Sequence, residues 1–252
     1  MDDLKRYEEL VKTIEYHNDR YYNQDDPEIS DYEYDMMMKE LKKLEKDHPE
    51  FVTPNSPTQH VGGSAKREAG VLVRHRVPML SLQDVFSKEE VQDFVKSMQE
   101  TLVDPVFVVE YKIDGLSMAL RYENGLLTTA ITRGDGIIQG EDVTVNAKVI
   151  KDVKNKLKEP IEYLEVRGEV YMTNEAFDKV NEIQELNNKK TFANPRNCAA
   201  GTLRQLDSRI TKQRNLSMFI FNIQDIRGKE ITSHSQGYEY LKIQGMKVID
   251  NY

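Results

Sequence analysis

The chain has 252 residues, of which 31% are charged and 38% hydrophobic, and a formal net charge of −8. That is enough apolar material for the core of one large or two modest domains, and the composition excludes a disordered tail or a membrane protein. The single Cys198 excludes an intrachain disulfide and a cysteine-rich zinc site.

Charge is unevenly spread. Residues 1–60 hold 16 acidic against 8 basic side chains, a net of −8, whereas residues 189–214 hold seven Lys/Arg against Asp207, a net of +6. The overall negative charge argues against strong, unaided binding to nucleic acid but leaves room for local contact with phosphates. No apolar run approaches the roughly 20 residues that a membrane helix requires. The first six residues lack the charged-then-apolar plan of a signal peptide, so a cytoplasmic chain with no membrane partner is expected.

The acidic head reads as two short helices. Leu4, Tyr7, Leu10, Val11, Ile14 and Tyr21 recur at three- and four-residue spacing and mark one helix face. Asp25, Asp26 and Pro27 break that helix. Ser30 with Glu33 has the form of a capping box and starts a second helix, with Tyr34, Met37, Met38, Leu41 and Leu44 inward. His48 and Pro49 stop it, and Pro54, Pro57, Gly62 and Gly63 mark a linker. Tyr21, Tyr22, Asp31, Tyr34 and Asp35 cluster about the turn between the helices. They form either plain aromatic packing with a solvated acidic cap or a pocket for a flat cationic ring.

Residues 71–86 read as a short strand and a loop. Ser87 and Glu90 then open a helix that is expected to bury Val91, Phe94, Val95 and Met98. The stretch 106–115 begins as a β-branched apolar run expected to be a buried strand. It ends in Glu110, Lys112, Asp114 and Gly115, with the three charged residues on one face by alternation and Val109, Tyr111 and Ile113 on the other. A lysine between two carboxylates beside a glycine is either a poised nucleophile or a solvated charge cluster. Strands over 116–122 and 126–132 flank Asn124 and Gly125, the strongest short hairpin signal. They lead into the glycine-rich loop 133–136, able to hold backbone close to a phosphate or ribose.

A second strand, 164–171, alternates Glu165, Arg167 and Glu169 with apolar residues, and Gly168 leaves room there for a ligand or another backbone. Thr173 and Asn174 cap a helix carrying Phe177, Val180 and Ile183. Asn194 and Pro195 suit the start of another, on which Arg196 and Arg204, eight residues apart, can share a face. Paired arginines suit phosphate oxygens. A strand over 216–223 and a short helix over 237–244, stopped by Gly245, complete the chain.

These blocks together resemble the N-terminal part of the bacterial-type NAD-dependent DNA ligases, from about Leu4 to the C-terminus. Tyr21, Tyr22, Asp31, Tyr34 and Asp35 match that family's nicotinamide-mononucleotide module. Residues 55–62 resemble its linker, and residues 77–82, with Ser81 and Leu82, its first nucleotide contacts. Glu110, Lys112, Asp114 and Gly115 resemble its adenylation motif, and residues 132–136 the loop that follows. The blocks at 164–171 and 192–207 also match. Departures are Ile137 and Ile138 where small hydroxylic residues are usual, Asp84 in place of asparagine, and Phe221 in place of tyrosine.

The resemblance implies an α+β fold. A helical module with its linker over residues 1–66 precedes a nucleotidyltransferase domain of antiparallel sheets and flanking helices over residues 67–252. It implies NAD and Mg²⁺ as cofactors and nicked double-stranded DNA as partner. Lys112 would attack the adenylate phosphorus of NAD, with Asp114 and Arg133 at the ribose, Glu110 and Glu169 fixing the nucleoside and Phe221 stacked on adenine. Arg196 and Arg204 would meet the DNA 5′-phosphate or the adenylate. Two lysine-bearing strands, an OB-fold and further DNA-binding domains of the family have no counterpart in these residues. A second polypeptide or a C-terminal region is therefore expected to supply them, and the isolated chain to seal nicks poorly or not at all. The alternatives are a non-catalytic NAD-binding subunit of a split ligase and an ATP-using or RNA-directed nucleotidyltransferase, against which the tyrosine–aspartate head argues.

Overall fold

The computed structural model describes residues 2–23, 27–53, 56–59 and 71–249, without the side chains of Asp2, Tyr22, Asn23 and Asp31. The expected break at Asp25 and Asp26 lies outside the described residues, as do Pro54, Gly62, Gly63 and half of the 55–62 motif. Among the described residues no helix is long and apolar enough to cross a membrane.

The head is a helix pair. Helix α1 (Asp2–Asn18) and helix α2 (Asp31–Asp47) bury Tyr7, Leu10, Ile14 and Leu41 between them, with Val11, Tyr34, Met37, Met38 and Leu44 packed around. Leu4, placed on the same face by its spacing, is exposed. Ser30 caps α2 reciprocally: its hydroxyl accepts from the Glu33 N–H and the Glu33 carboxylate accepts from the Ser30 N–H. His48 ends α2, and Pro49 begins a short 3₁₀ turn, Pro49–Phe51. Tyr21 lies in one π-helical turn, Asp19–Asn23, that continues α1. Such turns are rare and re-aim side chains at functional sites.

The body is built on a four-stranded antiparallel sheet of β2 (Leu116–Glu123), β3 (Leu126–Thr132), β5 (Tyr163–Tyr171) and β6 (Ser217–Arg227), in the order β3-β2-β5-β6. The β2–β3 hairpin turns on Asn124 and Gly125, with φ of 50° and 76°. Two positive φ values in succession match the twist of the flanking strands, which is why Asn-Gly suits the turn. A separate two-stranded piece pairs β1 (Leu72–Arg74) with β4 (Gln139–Glu141).

Period-two alternation gives the large sheet two different faces. Met118, Leu120, Tyr122, Leu164, Val166, Val170, Met218 and Ile220 form the buried one. It is covered by α4 (Thr144–Ala147), α5 (Asn174–Leu186), α6 (Pro195–Leu203) and α8 (His234–Ile243) through Ala147, Val180, Cys198, Ala199, Leu203 and Leu241. Ile183 of α5 is exposed. The short α7 (Ser208–Gln213) follows α6. The opposite face carries Ser117, Arg121, Glu165, Arg167 and Glu169, and there the chemistry collects.

Two stretches differ from expectation in their burial. Residues 105–114 form no strand, and Val106 and Val109 are 92% and 83% exposed. A buried strand needs a neighbour to satisfy its backbone and a layer to cover its side chains; among the described residues nothing ladders onto this run. Helix α3 (Lys88–Thr101) has no fully buried residue: Val91 and Phe94 are exposed, with Val95 and Met98 half-buried. The helix is held thinly, through an edge contact of Phe94 with Phe107 of the body at 6.3 Å and an ion pair of Glu90 with Lys39 of the helical head at 3.9 Å. Ser87 caps it as expected, but the Glu90 carboxylate accepts from the Phe86 N–H instead of closing a reciprocal box.

Candidate active site

Gly115 decides where the lysine-bearing run meets the sheet. A Cβ there would lie 2.1 Å from the Val170 carbonyl oxygen and 3.1 Å from Glu169 Cγ. Only glycine allows the backbone of 112–115 to press against the end of β5. Lys112 is thereby brought close enough to Glu169 to draw its carboxyl downward, as does Arg196. Burial outweighs them, and the Ser117 hydroxyl that donates at 2.7 Å, so the Glu169 carboxyl stands above the ordinary carboxylate range.

Lys112 and Asp114 open onto a cavity of about 320 Å³ between the helical head and the body, within the size range of small-ligand pockets. The head contributes His17, Asn18, Tyr21, Pro27, Glu28, Ile29, Ser30, Tyr34 and Asp35; the body contributes Asp84, Lys112, Asp114 and Arg196. Tyr34 donates its hydroxyl proton to Asn18 Oδ1 at 2.7 Å, which fixes its ring at the wall. Arg196, at the first turn of α6, lies 5.0 Å over the Tyr21 ring and 3.4 Å from Asp114 Oδ1, bridging the two halves. Asn194 caps α6 by accepting from the Asn197 N–H, and Pro195 follows at its first position.

The expected nucleoside residues lie on the polar face of the sheet and its rim. Arg133 donates to the Ser81 hydroxyl at 2.6 Å, and Arg167 to the Leu80 carbonyl at 3.0 Å, so two arginines hold the 80–82 loop over the sheet. Leu82 on that loop is exposed. Burial and the neighbouring Arg133 charge lower the Arg167 pKa against the pull of Glu169. The Arg167 guanidinium sits 5.5 Å over the Phe221 ring. Phe221 is the unmatched residue of a bulge in β6: Arg167 pairs with Asn222 and Gly168 with Ile220. Bulges next to active sites re-aim side chains. Glu110 is half-buried, its Oε1 2.9 Å from His234 Nε2.

Other assignments shift. The Asp135 carboxylate accepts from the N–H groups of Ile137, Ile138 and Gln139, so the glycine-rich loop spends these donors on itself and offers the Arg133 side chain instead. At Gly168 the close neighbour is backbone: a Cβ would lie 2.3 Å from the Phe219 carbonyl oxygen. Arg204 and Arg196 take different partners, Arg196 meeting Asp114 and Tyr21. Arg204 is the residue at which α6 ends, and it pairs with the buried Glu141 at 3.3 Å. The side chains of Tyr22 and Asp31 lie outside the described residues.

Sequence reasoning missed His17, Asn18, Glu28 and His234. The first two precede Tyr21 by four and three residues and so share its helix face. Nothing local in the sequence links His234 to Glu110, 124 residues away. Among the described residues no group of three or more His, Cys, Asp or Glu side chains gathers to hold a metal ion. A magnesium ion here would rest mainly on substrate phosphate oxygens and water, as that ion commonly does.

Residues 70–252 match the family model of the NAD-dependent DNA ligase adenylation domain, and residues 1–62 that of the DNA ligase-like N-terminal NAD⁺-binding domain. The chain is similar to a DNA ligase of Clostridium kluyveri, 56% identical over 252 residues, covering 100% of this chain and 38% of the relative. A DNA ligase of Caldicellulosiruptor saccharolyticus is 54% identical over 250 residues, 98% of this chain and 37% of the relative. One of Clostridioides difficile is 49% identical over 244 residues, 96% and 36% respectively. The chain thus spans little more than a third of the length of the curated relatives it matches.

Proposed function

The chain belongs to the NAD-dependent DNA ligase family, and on that footing we propose that it is the NAD-binding, adenylate-accepting part of such an enzyme. The observation that carries this reading is the shared cavity: Lys112 and Asp114 on one wall, Tyr21, Tyr34 and Asp35 on the other. We take residues 1–66 as the module that grips nicotinamide mononucleotide and residues 67–252 as the nucleotidyltransferase unit.

The tyrosine rings and carboxylates suit a cationic pyridinium, while Lys112 and Arg196 suit the pyrophosphate. Tyr22 and Asp31 are assigned to the same grip by resemblance. Holding the nicotinamide end aligns the pyrophosphate with Lys112, converting binding into orientation. The neutral Lys112 amine attacks the α-phosphorus; an N–P bond forms, the P–O bond to nicotinamide mononucleotide breaks, and the amine's proton passes to solvent. Arg133, Arg167 and Arg196 offset charge on the phosphoryl oxygens, and magnesium bound with the substrate would add to that neutralisation. Asp114 and Arg133 face the ribose, Ser81, Leu82, Glu110 and Glu169 the nucleoside, and Phe221 stacks on adenine. The lysyl-bound adenylate then passes to the 5′-phosphate of nicked DNA, with Arg196 and Arg204 as phosphate contacts.

A second reading is supported by the bare 105–114 run, which carries Lys112 and has no ladder among the described residues. In that reading the chain holds NAD, and residues outside 1–252, on the same or a second polypeptide, complete the site for chemistry. Incubation with NAD labelled in its adenylate half, followed by denaturing electrophoresis, tests both. Label on the wild-type chain that disappears in Lys112→Ala supports adenylate transfer. NAD binding without label, converted to label when a relative's remaining domains are added, supports the second reading. Label that persists in Lys112→Ala overturns the assignment of the nucleophile.

A further inference from the structure

We propose that His234 is a positioning residue that aims Glu110 at the exocyclic amine of the bound purine, and so sets the preference for an aminopurine dinucleotide. The proposal rests on the reading above that Glu110 and Phe221 meet the nucleobase, and adds the element that holds both.

Helix α8 begins at His234, with Ser233 as its cap accepting from the Gln236 N–H. A carboxylate can only accept, so the contact at 2.9 Å is a donation from the His234 Nε2–H to Glu110 Oε1. That is the hydrogen bond the described residues give the Glu110 side chain, and its second oxygen keeps its accepting capacity. The His234 ring is itself held 4.4 Å from the ring of Tyr238, one turn along the helix. Tyr238 is buried and donates its hydroxyl proton to the Phe221 carbonyl at 3.2 Å, at the β6 bulge. One helical turn therefore ties down both the 105–114 run, which lacks a strand neighbour, and the bulge that presents Phe221.

An acceptor-only group placed at a purine edge favours a donor there. The exocyclic amine of adenine is a donor; the carbonyl that replaces it in hypoxanthine is an acceptor and repels a carboxylate. Without His234, Glu110 has no described contact to fix its direction on an otherwise unladdered run, and discrimination falls even where stacking survives.

The test measures binding of NAD and of its hypoxanthine analogue to the 252-residue chain by calorimetry, with melting temperature as the fold control. Wild type is expected to favour NAD. His234→Ala is expected to lose about tenfold of that preference, the scale of one hydrogen bond to a charged group, at near-wild-type melting temperature. His234→Gln, which keeps a donor, recovers part of it. In a Glu110→Gln background, His234→Ala changes the preference little, because the two act as a unit. Unchanged discrimination in His234→Ala overturns this inference and leaves the site reading standing. A wild-type chain that binds neither dinucleotide overturns the site reading, and this inference with it.

Discussion

The Arg196 guanidinium lies 5.0 Å from the centre of the Tyr21 ring, reaching from the first turn of α6 onto the helical head. A planar cation over an aromatic face is worth roughly 0.5–2 kcal/mol, and lysine reproduces neither its stacking nor its fork of donors. The accompanying contact to Asp114 at 3.4 Å is solvent-exposed and adds little. Arg196→Ala is expected to weaken nicotinamide-mononucleotide binding by about three- to tenfold, with Arg196→Lys recovering less than half. Titration by calorimetry reads this directly, and equal affinity in all three chains would remove Arg196 from the pocket's account.

Arg121 and Glu165 form a buried pair on the polar face of the sheet, 3.0 Å apart, with Arg121 also donating to the Arg74 carbonyl at 2.9 Å. Removing one partner strands the other charge away from water, at a cost of about 3–5 kcal/mol. Arg121→Ala is therefore expected to lose that much stability in urea unfolding. The double change Arg121→Met with Glu165→Leu is expected to lose far less, since it strands no charge. Similar losses in both would mean that packing, not desolvation, governs the position.

Burial raises the Glu169 carboxyl above its ordinary value of 4.5 in the folded chain, against the pull of Ser117, Arg196 and Lys112. The folded state thus holds that proton more tightly than the unfolded state does. The associated stability is fully present below 4.5 and is lost as pH rises through the folded value. Glu169→Gln removes the titration while keeping the shape. Its melting temperature is expected to exceed wild type near pH 8, with the gap closing toward about pH 4.5. The same variant is expected to bind NAD more weakly. A melting-temperature gap that does not change with pH would contradict the shift.

Val109 is 83% exposed although it sits in a β-branched apolar run. Val109→Asp is expected to change the unfolding free energy of the 252-residue chain by no more than about 0.5 kcal/mol. Leu120→Ala, at a fully buried position on β2, is expected to cost about 2–5 kcal/mol. A large loss from Val109→Asp in the isolated chain would restore the buried-strand reading of 105–114.

Much of this protein was decided locally and could be read from the residues alone. The capping of α2 by Ser30, the Asn124–Gly125 hairpin, the start of α6 at Asn194 and Pro195, and the alternation along β5 each depend on neighbours a few residues away. Tyr34 with Asp35, and Lys112 with Asp114, could be singled out by residue type and family resemblance, but that both pairs line one cavity was decided by the tertiary structure. Tertiary structure alone decided the contacts between distant segments. It left 105–114 bare, sent Arg204 to Glu141, placed Phe221 in a bulge and joined His234 to Glu110. The physical reason is that propensity and capping act through hydrogen bonds within a few residues of chain. Whether an apolar run is buried, or where an arginine points, depends instead on which other surface arrives beside it.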